Sequence, residues 1–449
     1  MIVSIRKILQ RAIGLVNSRT LGVAAAFAAK ATGAGLLFLF SIMLARLLGA
    51  AGTGVYFLSL TIISIGATIA RLGLDNAVLR FAAVAHAQGD RPTLAALYRQ
   101  GIGLIFVAGV AVTLFVWFIS PHLPLGGERS AELQAILHVM LLAIIPTALI
   151  LLQGEFFKAT GAPGTATLVQ VAVLPMFLVM GTAVLYWRGN ATLHNIAFLY
   201  VVAATVSVLL AGAAWSHRNP GLWQKQGHFD TRLLLRTSLP LLWVASMGLI
   251  MGWTDILVLG LWTDAATIGV YGVATRIAAL TAFILIAVNS VTAPRFAALY
   301  AQGDHKSLQR LAQRSAGWML LAASPIILFL LLFPGWVLQL FGADFVWGAP
   351  LLRILALGQV LNVSTGSVGY LLMMTGHERL MRNTIMLSAL LNLLGNLVLV
   401  PAYGGMGAAV STAFSLAFMN LLSFVLVNKK LGINTMGYLF RRNYSCGSR

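Results

Sequence analysis

The sequence predicts an all-α integral membrane protein, with about twelve transmembrane helices in two six-helix lobes related by an internal repeat and with both termini cytoplasmic. Three observations predict it. Hydrophobic residues fill 59% of 449 positions and charged residues only 9%, whereas a soluble domain carries about 25% charged residues. Apolar stretches long enough to cross a bilayer, which needs about 20 residues, fall at 21–45, 53–73, 101–120, 132–154, 165–187, 194–214, 237–262, 266–292, 315–334, 349–373, 380–400 and 406–427. Short motifs recur at an almost fixed distance. Gly54-Val55-Tyr56 returns as Gly269-Val270-Tyr271, 215 positions on, and Arg80-Phe81-Ala82-Ala83 returns as Arg295-Phe296-Ala297-Ala298 at the same offset. Gln88-Gly89-Asp90 returns as Gln302-Gly303-Asp304 at 214, and Thr160-Gly161 as Thr375-Gly376 at 215.

The chain opens with residues 1–20, where Ile2, Ile5, Ile8, Leu9, Ile13 and Val16 keep helical spacing between Arg6, Lys7, Arg11 and Arg19. That pattern predicts an amphipathic helix on the inner membrane surface, and it lacks the unbroken apolar core of a cleaved signal. The N-terminal lobe follows over 21–214, then a polar inter-lobe loop at 215–236, the C-terminal lobe at 237–427 and a basic cytoplasmic tail at 428–449. An even number of spans per copy keeps the two copies in one orientation, with their repeat axis along the membrane normal. Most Lys and Arg fall in the connections on one side and in the termini, while the opposite loops hold Arg129 and Arg188. The basic side is cytoplasmic. This asymmetry accounts for most of the net charge of +19, so no nucleic-acid partner is expected. Pro146, Pro175 and Pro325 fall within spans and invite kinks. The single cysteine, Cys446, excludes a disulfide framework.

Charges inside a bilayer are costly unless they meet water or a partner, which makes them the best site markers. Lys30 lies roughly 13 Å into the first span at 1.5 Å per residue, and Arg276 lies near the middle of the eighth. Asp255 sits in the seventh span, where it either neutralises Arg276 or serves as a cation or proton site. Arg80 and Arg295 hold matching places in the two copies; they flank the inner mouth of a cavity or simply follow the charge rule. Arg71 with Asp75, and Glu155 with Lys158, are spaced as helical ion pairs. Arg46 and Arg353, near the outer face, snorkel. The balance is cationic and suits an anionic substrate such as a phosphate.

No P-loop, HExxH or GxSxG motif occurs, the histidines lack metal-ligand spacing, and no sizeable extramembrane segment could hold an acceptor. Catalysis, a metal and a cofactor are therefore not expected.

The stretches LARLLGAAGTGVYFLSL and LVLGLWTDAATIGVYGVATRI resemble the Wzx-type polysaccharide (O-antigen) flippases of the MOP exporter superfamily. Pro294-Arg295-Phe296 and the Thr-Gly turns are similar too, and the resemblance covers roughly residues 20–430. It implies a MATE/MOP-like two-lobe transporter in the bacterial plasma (inner) membrane. Such a transporter moves undecaprenyl-diphosphate-linked oligosaccharide from the inner to the outer leaflet by alternating access through a cationic cavity. On that reading Lys30, Arg276, Arg80 and Arg295 bind the substrate, and Asp255 and Glu155 couple an ion or balance charge. The implied partners are the lipid-linked glycan, the bilayer, and a polysaccharide polymerase and glycosyltransferases. An ion-coupled drug or metabolite exporter of the same superfamily is the main rival. A non-transporting scaffold that recruits glycosyltransferases through its basic loops is the other.

Overall fold

The computed structural model describes residues 2–125, 129–225 and 227–438. Arg441, Arg442 and Cys446 lie outside them, as do the side chains of residues 2–27, on which the amphipathic reading rests. The described chain is helical, with short 3-10 and π turns between helices. Among the described residues eight helices are long and apolar enough to cross a membrane, or nine if the bent pair Ser130–Leu141 and Ile144–Ala159 forms one span.

The first helix, α1, runs Ile2–Ala70 and is broken at Gly49, whose φ of 65° and ψ of −176° turn the chain between the first two apolar stretches. A side chain resists that conformation. The second stretch is interrupted at its C-terminal end, where Leu72 (φ 51°) and Gly73 (φ 72°) separate α1 from α2 (Leu74–Ala87). Helix α3 spans Arg91–Ile119. Between α4 (Ser130–Leu141) and α5 (Ile144–Ala159) the axis bends by 43°. Pro146 supplies the cause, since it cannot donate to the carbonyl of residue 142. Helices α6 (Pro163–Thr167) and α7 (Val173–Trp187) flank a π turn, Leu168–Ala172. Pro175 explains that opening too, because its ring crowds the carbonyl of residue 171. Pro325, by contrast, sits inside an unbroken helix.

Helix α8 (Leu193–Arg218) leads through a loop to α9 (Thr231–Trp262). There follow α10 (Ala265–Ala279), α11 (Ala282–Ala301), α12 (His305–Leu332), α13 (Pro334–Gln339), α14 (Ala349–Ser364) and α15 (Val368–Met374). The last, α16, spans Glu378–Leu431 and is broken at Gly404.

The repeat is visible in the backbone. The left-handed glycines pair at the sequence offset: Gly89 with Gly303, Gly161 with Gly376, and Gly189 with Gly404. Asp90 caps α3 by accepting from the Thr93 amide at 3.0 Å, and Asp304 caps α12 by accepting from the Ser307 amide at 2.9 Å. Hydrogen bonding from the Thr93 and Ser307 side chains, and then from these amides, holds both carboxyls below their usual range.

The chain divides into two compact units. The first comprises Met1–Leu47, Ser59–Pro124 and Ala131–Ala245. Its core is aromatic: Tyr98 stacks on Trp215 at 4.9 Å, and Phe156 and Phe157 close on the same indole. The loop after α8 is pinned to this unit. Gln100 Nε2 donates to the Phe229 carbonyl at 2.7 Å, and the Phe229 ring packs on Phe81. The second unit comprises Leu48–Leu58, Leu125–Ser130 and Ser246–Arg449. Phe296, Leu308, Leu371, Leu372 and Val427 pack together near one end of its helices. The strap after α16 is fixed much as the loop after α8 is, with Gln313 Nε2 donating to the Asn434 carbonyl at 2.9 Å.

Candidate functional site

The second unit contains a buried carboxylate with no cation beside it among the described residues. Asp255 on α9 is 4% exposed, and four neutral donors surround it. Its Oδ2 accepts from the Tyr271 hydroxyl at 2.5 Å and the Thr412 hydroxyl at 2.6 Å. Its Oδ1 accepts from Asn396 Nδ2 at 2.7 Å and Asn392 Nδ2 at 3.2 Å. Helix α10 supplies the tyrosine. Helix α16 supplies the other three, the two asparagines one helical turn apart and the threonine beyond the Gly404 break. The side-chain oxygens of Asn392 and Asn396 are buried and have no hydrogen-bond partner among the described residues. A burial penalty of several kcal/mol per ion normally demands an opposite charge, yet no ion pair joins Asp255 to Arg276. Arg276 engages an aromatic ring instead.

Arg276, half-buried near the end of α10, lays its guanidinium over the Phe57 ring, Cζ at 3.5 Å from the centroid. Its Nη1 donates to the Gly272 carbonyl at 2.9 Å. Such a stack is worth about 0.5–2 kcal/mol, and among the described residues the fork's one hydrogen bond is that to Gly272.

The approach of the two elements is backbone to backbone. A Cβ added at Gly54 would lie 1.7 Å from the Ala265 carbonyl oxygen, and one at Gly269 would lie 2.0 Å from that of Ala50. The repeated Gly-Val-Tyr motif thus forms a reciprocal crossing between the Leu48–Leu58 segment and α10.

The remaining candidates are dispersed. Arg295, on α11 in the same unit, is exposed. In the first unit Lys30 is exposed, and exposed Arg80 has its Cζ 5.8 Å from the Phe81 centroid. Glu155 accepts from Lys158 Nζ at 2.6 Å and from Gln170 Nε2, presented by the π turn, at 3.1 Å, so its charge is locally balanced. Arg71 pairs with Asp75 and also donates to the Thr68 hydroxyl. Arg353 Nε donates to the Leu331 carbonyl at 3.1 Å. Among the described residues no group of three His, Cys, Asp or Glu side chains gathers to hold a metal.

Sequence reasoning missed Tyr271, Asn392, Asn396, Thr412 and Phe57. One signal was available. At the 215 offset the positions matching Asp255, Asn392, Asn396 and Thr412 are Phe40, Phe177, Gly181 and Ala197. The first copy builds the same helices from apolar residues, so the fold does not require the polar nest.

Comparison with known proteins defines the class. An inward-facing multidrug resistance transporter of the MATE family and MOP superfamily superposes with a TM-score of 0.74 at 15% identity, covering 91% of this chain and 98% of that one. The lipid II flippase MurJ, in an inward closed conformation, gives 0.73 at 13% identity, over 94% of this chain and 91% of that one. The fold is thus the one these multi-pass membrane proteins share. The family described as "Polysaccharide biosynthesis protein" matches residues 20–300, and the MatE family matches 240–398. The chain belongs to the polysaccharide biosynthesis protein family. The probable low-salt glycan biosynthesis flippase Agl15 of Haloferax volcanii is 26% identical over 398 residues, which cover 88% of this chain and 80% of that protein. These relatives are transporters and flippases, not enzymes.

Proposed function

We propose that this protein flips a polyprenyl-diphosphate-linked glycan from the inner to the outer leaflet of the plasma membrane during polysaccharide biosynthesis. The observation that carries the reading is Arg276. A guanidinium held flat by Phe57 and one carbonyl, and paired with no carboxylate among the described residues, offers a planar fork to a diphosphate. Family membership and the glycan-flippase relative support the same substrate class. Lys30 adds a second cation, and Arg80 and Arg295 attract the head group at the cytoplasmic ends of their helices. The prenyl tail stays in lipid, and two six-helix lobes alternate access.

Asp255 couples an ion. As it stands the carboxylate accepts four hydrogen bonds, as an ionised group does. Rotating the Asn392 and Asn396 amides would turn their unpartnered oxygens toward it, and side-chain amide orientation is set by such networks. A proton would then find an acceptor, and a monovalent hard cation would find an all-oxygen site.

The test is reconstitution of purified protein with a fluorescent polyprenyl-diphosphate oligosaccharide, read by a membrane-impermeant quencher. Exchange between leaflets that depends on a sodium or proton gradient in wild type, and loses that dependence in Asp255→Asn, is the expected result. A second reading, ion-coupled export of small cations, is favoured by the same buried carboxylate and by the MatE match. Ethidium efflux without glycolipid exchange would select it.

A further inference from the structure

Helix α10 touches the carboxylate nest and the Gly-Val-Tyr crossing at once, and one side chain makes the link. Tyr271 is 1% exposed. Its hydroxyl donates to Asp255 Oδ2 at 2.5 Å and lies 3.0 Å from Thr412 Oγ1. Two residues before it, Gly269 meets the Ala50 carbonyl; one residue after it, Gly272 meets the Phe57 ring, where an added Cβ would lie 2.4 Å from Cδ2. A little over one turn further on is Arg276, stacked on the same ring. Among the described residues the nest is thus tied to α10 by a single phenol, and α10 carries both the crossing and the cation.

We propose that Tyr271 is the positioning residue that makes the place of α10, and so of Arg276, depend on the state of the Asp255 nest. This rests on the reading of Asp255 as the coupling site. With the carboxylate ionised, the phenol is held by a charge-assisted hydrogen bond to α9. When a proton or cation neutralises the carboxylate, that bond weakens to an ordinary one and α10 is freer to shift. Hydrogen bonds to charged groups exceed neutral ones by enough to move a two-position equilibrium roughly tenfold. The repeat supplies an internal comparison. Tyr56 holds the matching place in the first copy, but the position matching Asp255 is Phe40, so only one copy carries the link.

The test uses full-length protein in proteoliposomes, with Cys446→Ser and one reporter cysteine, Ala266→Cys, beside the crossing. Maleimide labelling is followed in sodium against choline chloride and at acid against neutral pH. With an otherwise native nest, the rate should change several-fold in one of these pairs, which also identifies the ion. Tyr271→Phe should flatten the response to under twofold while still binding the ion, as read by tryptophan fluorescence. Thr412→Val, which removes a donor of the nest on α16, should need more ion yet keep the full response at saturation. A Tyr271→Phe protein that responds like its parent overturns the link, and so does a Thr412→Val protein that is flattened equally. If the parent ignores both ions and Asp255→Asn flips glycolipid at the wild-type rate, the coupling reading fails together with the link.

Discussion

Replacing Gly54 by alanine tests the helix crossing with a single methyl group. The added carbon would lie 1.7 Å from the Ala265 carbonyl oxygen and 2.9 Å from the Gly269 nitrogen. Non-bonded heavy atoms settle near about 3.5 Å, so the Leu48–Leu58 segment and α10 must part by roughly 2 Å. The blocking atoms are backbone on a packed helix, so no side chain can swing aside. Overpacking of this kind costs about 1–3 kcal/mol, and 1.4 kcal/mol is tenfold. The population with the crossing closed should therefore fall roughly ten- to hundredfold. The assay is maleimide labelling at Ala266→Cys in the Cys446→Ser background, alongside thermal melting in detergent. Labelling should accelerate and the melting temperature should fall. Gly35→Ala and Gly103→Ala are the controls, since an added Cβ meets nothing within 4 Å at either position; there alanine should be neutral or stabilise slightly through helix propensity. A Gly54→Ala protein that labels and melts like these controls would refute the reasoning.

Other outcomes follow from the same geometry. Phe57→Leu removes the ring under Arg276, and with it about 0.5–2 kcal/mol of cation–π attraction; glycolipid exchange should slow several-fold and, because the ring is buried, the melting temperature should fall. Leu72→Gly relieves a left-handed leucine (φ 51°) and should stabilise by about 1 kcal/mol, raising the melting temperature. Gly73→Ala should do the reverse, because an added Cβ would lie 2.2 Å from the Ser238 carbonyl oxygen. Asp90→Ala and Asp304→Ala together should lower the melting temperature at neutral pH. Both carboxyls are held below their usual range by the helix caps, so their contribution is present above that range and is lost as pH falls through the lowered values. The deficit of the double variant should close in acid.

Much of the architecture was legible because membrane physics writes it into composition. The apolar stretches fall in helices, and the Gly-Val-Tyr, Gln-Gly-Asp and Thr-Gly pairs recur as matching turns and contacts. The local breaks were less legible. Pro146 and Pro175 signalled a bend and a π turn, but Pro325 breaks nothing, and Leu72 carries no turn signature although it adopts a left-handed conformation. The site was half visible. Asp255 and Arg276 stand out as charges in apolar runs, yet spacing alone could not say whether they meet. Asp255 is met by neutral donors, because Asn392, Asn396 and Thr412 converge on it only once α16 folds past its break at Gly404. Phe57 stayed hidden because an aromatic in a membrane span looks like packing until a guanidinium is found lying on it.

The most direct test of the central claim is the exchange of fluorescent polyprenyl-diphosphate oligosaccharide between liposome leaflets by wild type, Arg276→Lys and Arg276→Ala, each inserted to the same level. Wild type should exchange the lipid. Arg276→Lys should be slower, since a point charge lacks the planar fork, and Arg276→Ala should approach protein-free liposomes. Exchange by Arg276→Ala at the wild-type rate would contradict the claim that this cation holds the diphosphate.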